Sequence, residues 1–237
     1  MKFSTASTWI LFISVLSSCA SVRDTPKYQL SDGYYKSRLF NTDYHRVYVD
    51  NNDDSIAIYQ ADSHTKSIDS FINNKKMFPQ LASKDFYTST TFTQASFDVD
   101  FLTIPFKYRP APKDFPRQFN TNLNGVIYIG YRNDVYQLRY KKTPLHHYQR
   151  QVQHYGFSFG FITGLGGTTM NPSVTNTQIT SEYDGVVWSK GIAGIFGVNN
   201  FTIGLAVGYD DLLDNNKKYW IYQRKAWVGL AFGLNLN

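Results

Sequence analysis

From Phe92 to the C-terminus the chain alternates large apolar residues with small or polar ones at a period of two. That is the pattern of strands with two unlike faces. The last segment shows it most plainly: Val228, Leu230, Phe232, Leu234 and Leu236 fall on one face, and Trp227, Gly229, Ala231, Gly233 and Asn235 on the other. Before it, Phe201, Ile203, Leu205, Val207 and Tyr209 oppose Thr202, Gly204, Ala206, Gly208 and Asp210. Further back, Tyr155, Phe157, Phe159 and Phe161 oppose Gly156, Ser158 and Gly160. Two shorter runs, one through Ile127, Ile129 and Tyr131 and one through Tyr136, Leu138 and Tyr140, flank Asn133-Asp134, which reads as a tight turn. Residues 96–108 change phase: Phe97, Val99 and Phe101 share one parity, Leu102, Ile104, Phe106 and Tyr108 the other. A bulge near Phe101–Leu102 is expected there. Residues 185–197 complete seven segments, and the alternation of Phe86, Thr88, Thr90 and Phe92 predicts an eighth within 84–94. Asn199-Asn200 predicts a second tight turn, while 166–184 and 210–219 predict long polar loops.

The chemistry of the two faces sharpens the fold class. A soluble barrel or sandwich fills its core with large side chains and turns charged ones toward water. Here the second parity is rich in Gly, Ala, Ser, Thr and Asn, and Lys and Glu are missing from the last two segments. Small and polar residues suit a narrow interior; large apolar ones suit lipid. Tyr155, Trp188, Tyr209, Trp220 and Trp227 stand near segment ends, where an interfacial girdle lies. The pattern predicts an all-β fold, an antiparallel up-and-down β-barrel of about eight strands over 84–237. It resembles the small outer-membrane barrels of the OmpA and OmpX type. The resemblance implies an embedded barrel with a filled interior rather than an open pore.

Residues 33–83 read as a small N-terminal β element. His45–Val49 and Ser55–Tyr59 alternate around Asn51-Asn52-Asp53-Asp54, a hairpin turn of residues that tolerate left-handed geometry. The same acidic run lacks the glycine and distal glutamate of an EF-hand loop, so it reads as a turn rather than a calcium site. Ile68, Phe71, Ile72 and Met77 recur at helical spacing within 66–85 and predict a short helix.

The first residues carry the most specific signal. Lys2 precedes an apolar run from Trp9 to Leu16 that is too short to span a bilayer, and Leu16-Ser17-Ser18 lead to Cys19, the only cysteine in the chain. This resembles the lipobox of bacterial lipoproteins, which are cut before the cysteine and acylated on it. The resemblance implies a signal peptide over 1–18, a lipidated tether over 19–32 and lipidation, palmitate included, at Cys19. No aspartate follows Cys19 directly, and by resemblance to lipoprotein sorting this favours the outer membrane, with the N-terminal element in the periplasm. With Cys19 acylated no thiol remains for a disulfide or a metal site.

Charge and motifs narrow the function. The net charge of +6 arises without a basic run interleaved with stacking aromatics, so no nucleic-acid partner is expected; a surface beside anionic lipid suits it better. There is no nucleophile elbow, zinc-protease motif or phosphate loop. Gly164-Leu165-Gly166-Gly167 is not followed by a helical pattern. His146, His147 and His154 lie within one connection but read as solvated polar residues, and Asp210-Asp211 as the start of a loop. No catalytic residue, metal or cofactor is expected. The leading expectation is a lipid-anchored outer-membrane protein with a structural or interaction role. Its contacts are membrane lipid, through acylated Cys19 and the barrel surface, and other envelope proteins. The alternative is a soluble, lipid-tethered periplasmic barrel carrying an apolar ligand. A lipid-modifying enzyme using His154 with Ser158 or Ser189 stands third.

Overall fold

The computed structural model describes residues 28–40, 42–52, 54–61, 75–82, 89–111, 115 and 117–234. Cys19, residues 1–18 expected as a signal peptide and most of the expected tether lie outside them. The described residues form a single antiparallel sheet with no α-helix.

Five short strands come first: β1 (Gly33–Ser37), β2 (His45–Asn52), β3 (Ser55–Gln60), β4 (Lys75–Pro79) and β5 (Leu81–Ala82). Then follow β6 (Thr90–Arg109), β7 (Gln118–Asn120), β8 (Asn124–Lys142), β9 (Tyr148–Met170), β10 (Tyr183–Val198), β11 (Phe201–Leu212) and β12 (Ala226–Leu234). The expected hairpin is present as β2 and β3, paired from Val47↔Gln60 to Asn52↔Ser55. The expected short helix within 66–85 lies largely outside the described residues, with Ile68, Phe71 and Ile72, while Met77 itself lies in β4. Of the expected eighth segment, residues 90–94 are the beginning of β6.

The strands β6, β8, β9, β10, β11 and β12 pair in sequence, and β12 pairs back with β6, so the hydrogen bonds close a ring of six strands. Its strands meet the turn expectation at Asn199-Asn200, where Asn199 takes a left-handed φ of 50°. The other expected turn is absent, because β8 runs unbroken through Asn133 and Asp134. The bulge also lies later than expected. Leu230 pairs with Phe106 but Phe232 with Thr103, so β6 carries one extra residue at Ile104–Pro105. Proline has no N–H to give a ladder, and a bulge is where a strand tolerates it. The bulge switches the inward parity of β6 from Leu102 and Ile104 to Lys107 and Arg109.

Three strands are much longer than the ring requires. The early half of β6, the late half of β8 and the early half of β9 leave the ring and join β1 to β5. β1 pairs with β6 at Lys36↔Thr93, β2 with β1, β3 with β2 and β4 with β3. Past the bend at Gln80, β5 pairs with β9 at Leu81↔Gln149. Gln80 joins the two edges itself, donating to the Asp54 carbonyl and accepting from the Arg150 amide. This lower section is packed conventionally. Tyr35, Val47, Val49, Ile56, Ile58, Phe78, Phe92, Tyr136 and Leu138 form one buried cluster. Each such side chain contributes about 1.5–3 kcal/mol relative to an exposed one.

The ring section has the opposite dress. Phe97, Val99, Phe101, Ile127, Ile129, Tyr131, Phe157, Phe159, Phe161, Ile203, Leu205 and Val207 all point outward and are exposed, Leu205 by 60%. The strand direction never reverses between the sections: even-numbered residues of β8 from Asn124 to Leu138 all face inward. What changes is the chemistry. Outward positions of β8 read Ile127, Ile129, Tyr131 in the ring and then Asn133, Val135, Gln137, Arg139 below it. Those of β9 read Gln149, Gln151, Gln153 below and Tyr155, Phe157, Phe159, Phe161 in the ring.

So small a ring leaves little space between neighbouring backbones. A Cβ on Gly160 would collide with the Ile129 carbonyl and Gly130 of β8, whereas one on Gly194 meets nothing within 4 Å. Gly160→Val is therefore expected to lower the thermal midpoint of the folded protein or prevent ring closure, and Gly194→Ala to leave it unchanged, both read by circular dichroism on heating.

Candidate functional site in the ring interior

The inward face of the ring holds two layers of charge separated by an apolar one. The upper layer is centred on Asp210, whose carboxylate is fully buried. It accepts from Lys107 Nζ at 3.0 Å, Arg109 Nη2 at 2.5 Å, Ser189 Oγ at 2.7 Å and Trp227 Nε1 at 2.9 Å. Lys107 also donates to Asn124 Oδ1 and to Ser189 Oγ, and its ammonium sits 4.5 Å above the Trp227 ring. Arg109 reaches Gln118 Oε1 at 2.9 Å. Asp210 was expected in a solvated loop; instead β11 continues to Leu212 and carries it inside, where two cations stand ready. A buried carboxylate is tolerated only when it is paired and hydrogen-bonded in this way.

Above this layer the connections fold inward. Met170, Val174, Val187, Leu212, Trp220 and Tyr222 form an apolar cluster, and Arg109 lies 5.2 Å from the Trp220 ring and 5.7 Å from that of Tyr222. Burial raises the Tyr222 phenol above its ordinary value, against the opposing pull of Arg109. Trp220 and Trp227, expected in an outer girdle, are thus interior residues, whereas Trp188 and Tyr209 do face outward. At the rim Asp211 accepts from Lys190 Nζ at 2.6 Å and Arg224 Nε at 2.7 Å, and Lys190 stacks 3.6 Å from the Trp188 ring.

The middle of the ring is filled by Leu102, Ile104, Val126, Tyr128, Ile162, Ala193, Ile195, Ala206 and Ala231 with Trp227. Below it lies the second charged layer, at the junction with the lower section. Asp134 Oδ1 accepts from Arg132 Nε at 2.7 Å and faces His154 Nε2 at 2.6 Å, while Arg132 Nη1 lies 3.7 Å from Asp98. The His154 ring rests on Tyr136 with centroids 4.8 Å apart. Tyr128 and Ser158 share a short hydroxyl–hydroxyl hydrogen bond.

The structure separates several residues that the sequence had grouped. His146, at φ 61°, and His147 belong to the connection after β8, while His154 is buried inside. Ser158 engages Tyr128, and Ser189 engages Asp210 and Lys107 in the other layer. Among the described residues no three of His, Cys, Asp and Glu come together as a metal-binding group. Lys107, Arg109 and Arg132 had not been singled out, and Asp134 only as a turn residue. Their signal was parity: each occupies an inward position of an otherwise apolar or small-residue face. The arrangement braces the interior with charge-assisted hydrogen bonds, which are the strong ones.

Comparison with known proteins adds no relative: no family model, curated sequence or solved structure matches the chain.

Asp210→Asn leaves Lys107 and Arg109 buried without their countercharge and is expected to cost about 3–5 kcal/mol, measured by urea unfolding. Arg224→Ala, at a side chain 75% exposed, is expected to leave the same unfolding midpoint unmoved.

Proposed function

We propose that this chain is a lipid-anchored outer-membrane protein of the cell envelope. Its ring lies in the bilayer, its lower section stands in the periplasm, and its role is structural or interactive. The carrying observation is the inversion along β6, β8 and β9: one outward face goes from polar to apolar without any change in strand direction. A single aqueous solvent gives no reason for that change; a boundary between water and hydrocarbon does. The uncharged outward run from Tyr155 to Leu165 on β9, at about 3.3 Å per residue and a tilt near ~40°, rises roughly 25 Å. That is close to the band of about 25 Å expected of a barrel in an outer membrane.

The connections support the orientation. Asn199-Asn200 and residues 143–147 join strands at the end where β1 to β5 lie, and the longer connections 171–182 and 213–225 join them at the other. Short turns toward the periplasm and longer loops outward are the rule for such barrels. A lipid anchor at Cys19 would precede β1, the first strand of the lower section, by 14 residues in sequence. Six strands are fewer than the eight of the smallest single-chain bacterial barrels, and the filled interior follows from that narrowness. No helix of the described residues is long and apolar enough to cross a membrane, so crossing falls to strands.

Residues 1–19 are to be replaced with a cleavable signal lacking cysteine and the membranes washed with urea at alkaline pH. The chain is expected to stay in the membrane fraction; release as a folded soluble protein overturns the proposal and favours the tethered ligand carrier. Within the embedded protein, Leu205→Lys at mid-belt is expected to cost about 2–4 kcal/mol in unfolding from lipid vesicles. Gln137→Lys, on the outward face of the lower section, is expected to cost nothing measurable.

A further inference from the structure

Where the two sections meet, the outer surface is grooved. β6 pairs with β1 at Phe92–Thr93 and with β12 only from Thr103 onward, so along Gln94–Leu102 neither of these strands covers that edge. The small residues Thr93 and Ala95 of β6 form a floor, and a cavity of about 700 Å³ opens over it. One wall is Tyr131 and Asn133 of β8; the other is Tyr34, Lys36 and Arg46 of β1 and β2, with Tyr44 beside them. Gln94 holds the corner by donating to the Tyr34 carbonyl at 3.1 Å.

The groove straddles the polarity boundary. Tyr131, 65% exposed, is the last member of the outward apolar row of β8, and Asn133 is the first of the polar one. Lys36 and Arg46 are exposed, and among the described residues neither forms an ion pair. The Arg46 guanidinium is held 4.0 Å above the Tyr34 ring, which orients it without consuming its charge. Among the described residues no carboxylate lines the groove; Asp32 and Asp50 act instead on Tyr48.

We infer that this groove is a binding site for the headgroup of an anionic phospholipid. Lys36 and Arg46 take the phosphate, Tyr34 and Tyr131 flank the glycerol region, and the acyl chains run up the apolar face of the ring past Phe97. Two cations at the water side of an apolar belt match such a molecule at both ends: charge meets phosphate, and the adjoining belt meets hydrocarbon. The inference rests on the proposed membrane placement of the ring.

The test uses the full chain purified in detergent, with phosphatidylglycerol added and native mass spectrometry reading the lipid retained. One lipid per chain is expected on the unaltered protein. Lys36→Ala/Arg46→Ala is expected to weaken retention at least tenfold, and Arg46→Lys to restore most of it in the Lys36-containing protein. Both cations are exposed, so the variants should keep the same circular dichroism and thermal midpoint. The inference is overturned if no lipid is retained, if the double variant retains it equally, or if millimolar inorganic phosphate displaces it, which marks a simple anion site. The membrane reading fails separately: it falls if the anchorless chain is washed free, and it stands if the chain stays embedded while the double variant keeps its lipid.

Discussion

A strand has two faces, and along β6, β8 and β9 the outward one changes from polar to apolar while the strand runs on. Everything else in the molecule follows from that change. In the lower section the inward face carries the aromatic and aliphatic core and the outward face carries Gln, Arg and Thr. In the ring the outward face is apolar, and the inward face packs an apolar middle, Leu102, Ile104, Val126 and Ile162 among it, between two charged layers. Because the three strands are continuous, neither section can choose its register independently of the other. The bulge at Pro105 is the one place where β6 resets its parity, and it does so where Lys107 and Arg109 are needed inside.

The buried charge is the counterpart of the apolar exterior. Six strands enclose too little space for water to solvate ions, so every ionised group must find its partner among its neighbours. Asp210 does so with two cations and two neutral donors, and Asp134 with Arg132 and His154. Such networks add little net stability over a well-packed apolar interior, but losing one member is costly. Their residues come from strands distant in sequence: Lys107 from β6, Ser189 from β10, Asp210 from β11 and Trp227 from β12. The network thus holds together the very strands whose pairing closes the ring.

Much of this was legible in the sequence, and the misread turn and the misplaced Asp210 share one cause. Periodicity revealed the strands, the β2–β3 hairpin and the turn at Asn199-Asn200, because each is encoded locally. The hydrophobic parity of β8 switches between Tyr131 and Tyr136, and a switch beside Asn133-Asp134 reads as a turn. Hydrophobicity reports what surrounds a residue, not which way it points, and here the surroundings change while the direction does not. The same error placed Asp210 in a solvated loop, since a carboxylate inside a ring of apolar-looking strands is visible only once its cations are in place. Met77, read at helical spacing, instead pairs from β4 with Ala57. The groove depends on where β1 stops and β12 begins along β6, which no local pattern records.

The sharing of β8 and β9 also fixes the order in which the chain can mature. β5 finds its partner at Gln149 and Tyr148, and the lower core needs Tyr136 and Leu138, all of which are synthesised long after β1 to β4. The first part of the molecule to emerge is therefore among the last to be completed, with slow, long-range contacts deciding its assembly. Until β8 and β9 arrive, Val47, Val49, Ile56 and Ile58 lack Tyr136 and Leu138 from their core and have only the sheet of β1 to β4 to pack on. Both sections are therefore completed in one event, when β8 and β9 take their places.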